Sequence, residues 1–192
     1  MSQQGHKRVL LVAAENDALK GAKVGGMADV IRDLPPALSE VGVIADVAMP
    51  NYGFLAQQYH AKYLTEVAIH FAGKAEKVII YVMRRPEAKH QFSGHDQITS
   101  SDPLIYLFEH PYFNHQGQVY CNGSPDRPFA QDATKFALFS LSVATALKNN
   151  LLNHYDVMHL HDWHAAMVAM LRSCVTEFSA LQNMYALYFY HP

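Results

Sequence analysis

Near-continuous apolar runs alternate along this chain with segments whose apolar residues recur at helical spacing. The first run, RVLLVAA (8–14), has the pattern of a strand buried on both faces. MADVIRDLPPALSEVG (27–42) follows at helical spacing; Pro35 and Pro36 should kink or divide it, and Gly42 is a natural stop. VIADVAM (43–49) is the next predicted strand, ended by Pro50 and Gly53. YLTEVAI, KVIIYVM and PLIYLFE read as short strands, with a polar excursion over 84–102 between the last two. Residues 110–128 are rich in aromatics, glycine and proline and keep neither period, which marks an irregular segment of the kind that carries function. The strongest helix pattern spans 129–149, and a strand at 155–160, a helix at 164–178 and a strand at 184–190 complete the chain. This order predicts an α/β fold: a Rossmann-like, doubly wound, mainly parallel sheet.

The 192 residues suffice for one sizeable domain, with no repeat or low-complexity tract. Half the residues are hydrophobic, 17% are charged and the formal net charge is -2, so neither a basic footprint for nucleic acid nor a polyanion partner is indicated. No segment approaches the roughly 20 apolar residues of a membrane span. The apolar run after the N-terminus is only about seven residues and meets Glu15, Asn16 and Asp17 without a cleavage site, so it reads as a strand and not a signal peptide. Cys121 and Cys174 form no C-x-x-C pair, which fits free thiols in a reducing, cytoplasmic setting.

Two polar clusters each follow a predicted strand, where ligands bind in parallel sheets. In KVGGMADV (23–30), a glycine pair stands at the start of a helix although glycine is a poor helix former. Either a tight turn or the close approach of a ligand to the backbone accounts for the pair. On the second reading, unpaired N–H groups at the helix N-terminus and the charge of Lys23 suit a phosphate or sugar hydroxyls, with Gly25 and Gly26 clearing the approach. On the first, the loop is a glycine turn with a solvated lysine. The spacing matches neither a P-loop nor G-x-G-x-x-G.

The second cluster is HLHDWHAAM (159–167). Asp162 is placed to cap the following helix. A metal site is the competing reading, but the spacing fits neither H-E-x-x-H nor a zinc pattern, and no metal is expected. Carbohydrate recognition is the third: a flat tryptophan face ringed by an aspartate and histidines suits a sugar ring.

Together these segments resemble the N-terminal domain of bacterial glycogen synthases and plant starch synthases, retaining glucosyltransferases of the two-domain GT-B architecture. The resemblance rests on K-x-G-G-x-A-D-V at 23–30, on H-x-H-D-W-H-A at 159–165, and on YFNHQGQVY with the long helix between them. It implies that Lys23, Gly25 and Gly26 contact the nucleotide-sugar donor. It also implies that Asp162, Trp163, His164 and Tyr120 line the donor-glucose and acceptor cleft. His191 falls where the family has the histidine of T-x-H-N beside the donor glucose, with Pro192 in place of the asparagine. The loop before Lys23 is about two residues longer than the family spacing and lacks its usual proline. The implied reaction moves glucose from ADP-glucose to the non-reducing end of an α-1,4-glucan without metal or other cofactor. The family carries a second, nucleotide-binding domain, so residues 1–192 correspond to the N-terminal catalytic domain without its C-terminal partner, a half-site inactive alone. The alternative from a different class is a non-catalytic glucan-binding or interaction remnant of the same fold.

Overall fold

A computed structural model describes residues 7–86, 102–114, 117–120 and 130–191. The chain runs β1 (Lys7–Val12), α1 (Met27–Glu40), β2 (Val43–Pro50), α2 (Leu55–Gln58), β3 (Lys62–Phe71), β4 (Lys74–Arg84), β5 (Leu104–Glu109), α3 (Ala130–Lys148), β6 (Val157–His161), α4 (Trp163–Cys174) and β7 (Tyr185–Phe189). Short 3-10 turns lie at Pro111–Phe113 and Thr176–Asn183.

The strands form one sheet in the order β3-β4-β5-β2-β1-β6-β7. β5, β2, β1, β6 and β7 are mutually parallel, and β3 and β4 add an antiparallel hairpin at one edge. Between β3 and β4, Ala72 and Gly73 both hold positive φ (50° and 79°), as a two-residue type I′ turn requires. Chain progress from β1 to β2 and from β6 to β7 runs in opposite directions across the sheet. With right-handed crossovers, that reversal puts α1 and α4 on opposite faces, as the doubly wound reading expects. Leu10, Leu11, Val12, Val47, Ala48, Met49, Leu107 and Phe108 are all buried, which explains why the central strands read as apolar runs without alternation.

Of the two outcomes expected of the prolines, division does not occur. α1 continues from Met27 to Glu40 with Pro35 and Pro36 inside it and is not divided. Pro36 has no N–H for the carbonyl of Arg32, one turn back, but the Arg85 guanidinium donates to that carbonyl from outside the helix. Pro35 lies on the buried face, where its ring contributes packing. α4 also stops earlier than its pattern suggested: Val175 is extended (φ -115°, ψ 113°), and a 3-10 turn takes over to Asn183. Cys174 is free and exposed; Cys121 and most of the 84–102 excursion lie outside the described residues. No described helix is long and apolar enough to cross a membrane.

Candidate active site

The strand order reverses between β1 and β6, and the crevice beyond the carboxyl ends of these neighbours is where a doubly wound sheet binds ligands. The loop after β1 carries Lys23, Gly25 and Gly26; the turn after β6 carries Asp162, Trp163 and His164; His191 follows β7. Residues far apart in sequence thus share one end of the sheet.

Neither Gly25 nor Gly26 has a positive φ; the N-capping Gly26 sits at φ -67°, ψ -23°. A left-handed turn therefore does not explain the pair. A Cβ on Gly26 would meet nothing within 4 Å, and one on Gly25 would lie 3.6 Å from Glu15 Oε1, an ordinary contact. In the loop just before the helix, Val24 and Gly25 both donate to Glu15 Oε2 at 2.6 Å. Lys23 is exposed, and its charge is paired at the surface. Its Nζ lies 2.6 Å from Asp29 and 3.3 Å from Asp17, and the hydrogen bond to Asp29 leads in raising its pKa. Arg32 bonds the same two aspartates, so the loop and the first turns of α1 are laced by alternating charges.

Around the second cluster the rings touch. Trp163 lies 4.2 Å from His164 and 5.4 Å from Phe136, and His164 lies 4.6 Å from Phe136 and 5.3 Å from Tyr120, centroid to centroid. Trp163 keeps 43% of its surface exposed, whereas His164 is buried. The Tyr120 hydroxyl donates to Glu15 Oε1 at 2.6 Å, which joins this aromatic wall to the glycine loop. Burial first, and then that hydrogen bond, raise the Tyr120 pKa far above its ordinary value, so it is a neutral donor.

Asp162 caps α4: its Oδ1 accepts the Trp163 N–H at 2.9 Å. Its backbone sits at φ 62°, ψ -177°, a region that costs a non-glycine residue about 1–3 kcal/mol. Its own N–H donates to the Phe189 carbonyl at 2.8 Å, so β7 helps to hold the strained turn.

His161 and His191 meet at 3.1 Å between Nδ1 and Nε2, with His159 4.2 Å from His161 between ring centroids. Burial, reinforced by His159 and His191, lowers the His161 pKa to about 3. Burial also lowers that of His164 to about 4, against the pull of Asp162, Glu15 and Asp132. Both rings are neutral at pH 7. Among the described residues, His161 Nε2 and His164 Nδ1 are buried without a hydrogen-bond partner. No described group of three or more His, Cys, Asp or Glu is arranged to hold a metal.

One residue at this crevice escaped the sequence reading. Glu15 had a usable signal, being the first charged residue after the apolar run of β1. His161 was already part of the second cluster, and the structure adds that it meets His191. The carbonyl of Val119, the residue before Tyr120, accepts from Lys135 at 2.5 Å, and Lys135 is paired with buried Asp132 at 2.7 Å.

The family model described as the starch synthase catalytic domain matches residues 8–191. Among curated relatives, a glycogen synthase of Gloeobacter violaceus is 34% identical over 164 residues, 85% of this chain and 30% of the relative. A glycogen synthase of Streptococcus agalactiae is 29% identical over 185 residues, 96% of this chain and 34% of the relative. Among solved structures, the catalytic domain of starch synthase IV from Arabidopsis thaliana, bound to ADP and acarbose, superposes with a TM-score of 0.66 at 24% identity. That superposition covers 97% of this chain and 34% of the other, and supports the fold. The chain spans about a third of the length of the relatives it matches.

Proposed function

The chain belongs to the starch synthase catalytic domain family, and from that premise we propose that it supplies the N-terminal half of a GT-B glucosyltransferase. The proposed reaction transfers glucose from ADP-glucose to the non-reducing end of an α-1,4-glucan. One observation carries this reading: the K-x-G-G loop after β1 and the H-D-W-H turn after β6 meet at one crevice, bridged by Tyr120 and Glu15.

In this reading Lys23, Gly25 and Gly26 form the donor side. The open space over Gly26 admits the transferred group, and Lys23 supplies positive charge toward the diphosphate. Trp163, Asp162, His164 and Tyr120 form the glucose and acceptor wall, with the exposed indole as the flat face for a sugar ring. His191, held against His161, stands beside the donor glucose. Buried, neutral imidazoles with unmet hydrogen-bonding capacity suit sugar hydroxyls better than phosphate. Transfer at the anomeric carbon passes through an oxocarbenium-like state, which these groups stabilise while the leaving diphosphate is neutralised. The rest of the nucleotide pocket belongs to the second domain of the GT-B architecture.

Trp163 is the only tryptophan in the sequence, so its emission reports on the proposed cleft alone. Titration with a maltooligosaccharide is expected to give a saturable change that Trp163→Phe abolishes. A flat titration across millimolar oligosaccharide and ADP-glucose would remove this chain's cleft as a binding surface. Where ADP-glucose binding is measured, by calorimetry or by the same emission, Lys23→Ala is expected to weaken it about tenfold, the size of one charge-assisted contact. Unchanged ADP-glucose affinity in that variant would take Lys23 off the donor side.

A further inference from the structure

Between the glycine loop and Tyr120 lies a carboxylate that the donor and acceptor assignments leave unused. Glu15 is only 3% exposed. Its Oε2 accepts the N–H groups of Val24 and Gly25, both at 2.6 Å, and its Oε1 accepts the Tyr120 hydroxyl at 2.6 Å. Among the described residues no lysine or arginine forms an ion pair with it, and the nearby Lys23 is engaged by Asp17 and Asp29. A buried charge without a cation depends on every donor it has. The two oxygens therefore divide the site: one is satisfied by the glycine loop, the other by the aromatic wall.

Resting on the reading that Lys23–Gly26 face the donor and Tyr120 the acceptor, we propose that Glu15 is a positioning residue that couples the two sides through one carboxylate. When the Tyr120 hydroxyl turns from Glu15 to a sugar hydroxyl, Oε1 loses its donor. The unshared charge then draws more strongly on the Val24 and Gly25 N–H groups and tightens the loop beside the donor. The pairing spans 105 positions of sequence, so the two sides of the cleft report to each other without movement of the sheet. A role confined to holding the loop would need only Oε2; the bond from Tyr120 to Oε1 is what makes the carboxylate a link.

The test uses the 192-residue chain and the amide signals of Val24 and Gly25 in a ¹H–¹⁵N spectrum. Glu15→Gln keeps the side-chain shape and removes the charge. It is expected to speed exchange of both amides by roughly 10- to 100-fold, the loss of a hydrogen bond to a charged acceptor. Tyr120→Phe removes only the hydroxyl. It is expected to shift both loop signals in the wild-type background and to leave them in place in the Glu15→Gln background. Loop signals that ignore Tyr120→Phe, or that move equally in both backgrounds, would overturn the coupling. Adding a maltooligosaccharide separates this inference from the reading beneath it. Shifts that parallel those of Tyr120→Phe support both. A Tyr120→Phe response with no oligosaccharide response keeps the coupling and removes the glucan assignment.

Discussion

Replacing Asp46 with alanine is expected to destabilise the fold by about 3–5 kcal/mol, the cost of leaving one member of a buried ion pair alone. Asp46 sits in the middle of β2 with no exposed surface. Its carboxylate accepts from Arg8 Nε at 2.8 Å, Arg8 Nη2 at 3.1 Å, the Leu104 N–H at 2.8 Å and the Tyr155 hydroxyl at 2.6 Å. It thereby ties β1, β2, the start of β5 and the approach to β6 together at the end of the sheet opposite the crevice. Burial works against the Arg8 charge, but the hydrogen bond and attraction of Asp46 outweigh it and raise the Arg8 pKa. Burial first, and Asp46 next, hold the Tyr155 phenol far above its ordinary pKa. Alanine would remove this acceptor from all of these donors, leaving Arg8 Nη2 the Asp102 carbonyl at 3.0 Å, whereas Asp46→Asn retains one acceptor and should lose roughly half as much. Urea unfolding of the two variants beside the wild type measures the difference. A loss under about 1 kcal/mol for Asp46→Ala would show that water or rearranged partners satisfy Arg8 and Tyr155 without it.

Acidification is expected to destabilise the chain before the carboxylates titrate. The folded-state pKa values of His161 and His164, about 3 and about 4, lie below the ordinary 6.5 of an unfolded histidine. Burial leads in lowering His159 as well. Below pH 6.5 the unfolded chain takes up protons that the folded chain refuses, so protonation favours unfolding. The stability contributed by these neutral rings is whole above pH 6.5 and is lost as pH falls toward 4 and then 3, where the folded rings also charge. Each fully protonating group contributes about 1.4 kcal/mol per pH unit, so two together give a slope of about 2.7 kcal/mol per unit below roughly pH 5.5. Unfolding free energies at pH 7.5, 6.5, 5.5 and 5.0 isolate the histidines from the aspartates. Replacing His161 with asparagine should remove about 1.4 kcal/mol per pH unit from the slope, whatever it does to absolute stability. Constant stability between pH 7.5 and 5.0 would mean that the rings are solvated in the folded state.

Much of this architecture is legible from the order of residues. The apolar runs over 8–14, 43–49 and 155–160 became β1, β2 and β6 because strands buried on both faces have no room for polar alternation. The pattern over 129–149 became α3 within a residue at each end. The two motifs that mark the crevice were readable for a related reason, since each combines residue types that neither a helix nor a strand interior would choose. Local patterning misled at Pro35 and Pro36. Two prolines predict a break when the helix is considered alone, but an arginine from the end of β4 meets the carbonyl that Pro36 leaves open.

The sequence by itself determined the element order, the α/β class and the two clusters worth testing, because these follow from free energies of neighbouring residues: burial period, helix propensity and capping. Only the tertiary structure decided what those elements do to one another. Asp46 is a single charge in an apolar strand until Arg8 and Tyr155 arrive from positions 38 and 109 residues away. Glu15 is an unremarked acid after a strand until Tyr120 reaches it. A buried charge is stable only where distant donors converge on it, and that convergence is set by the register of β1 against β2 and β6.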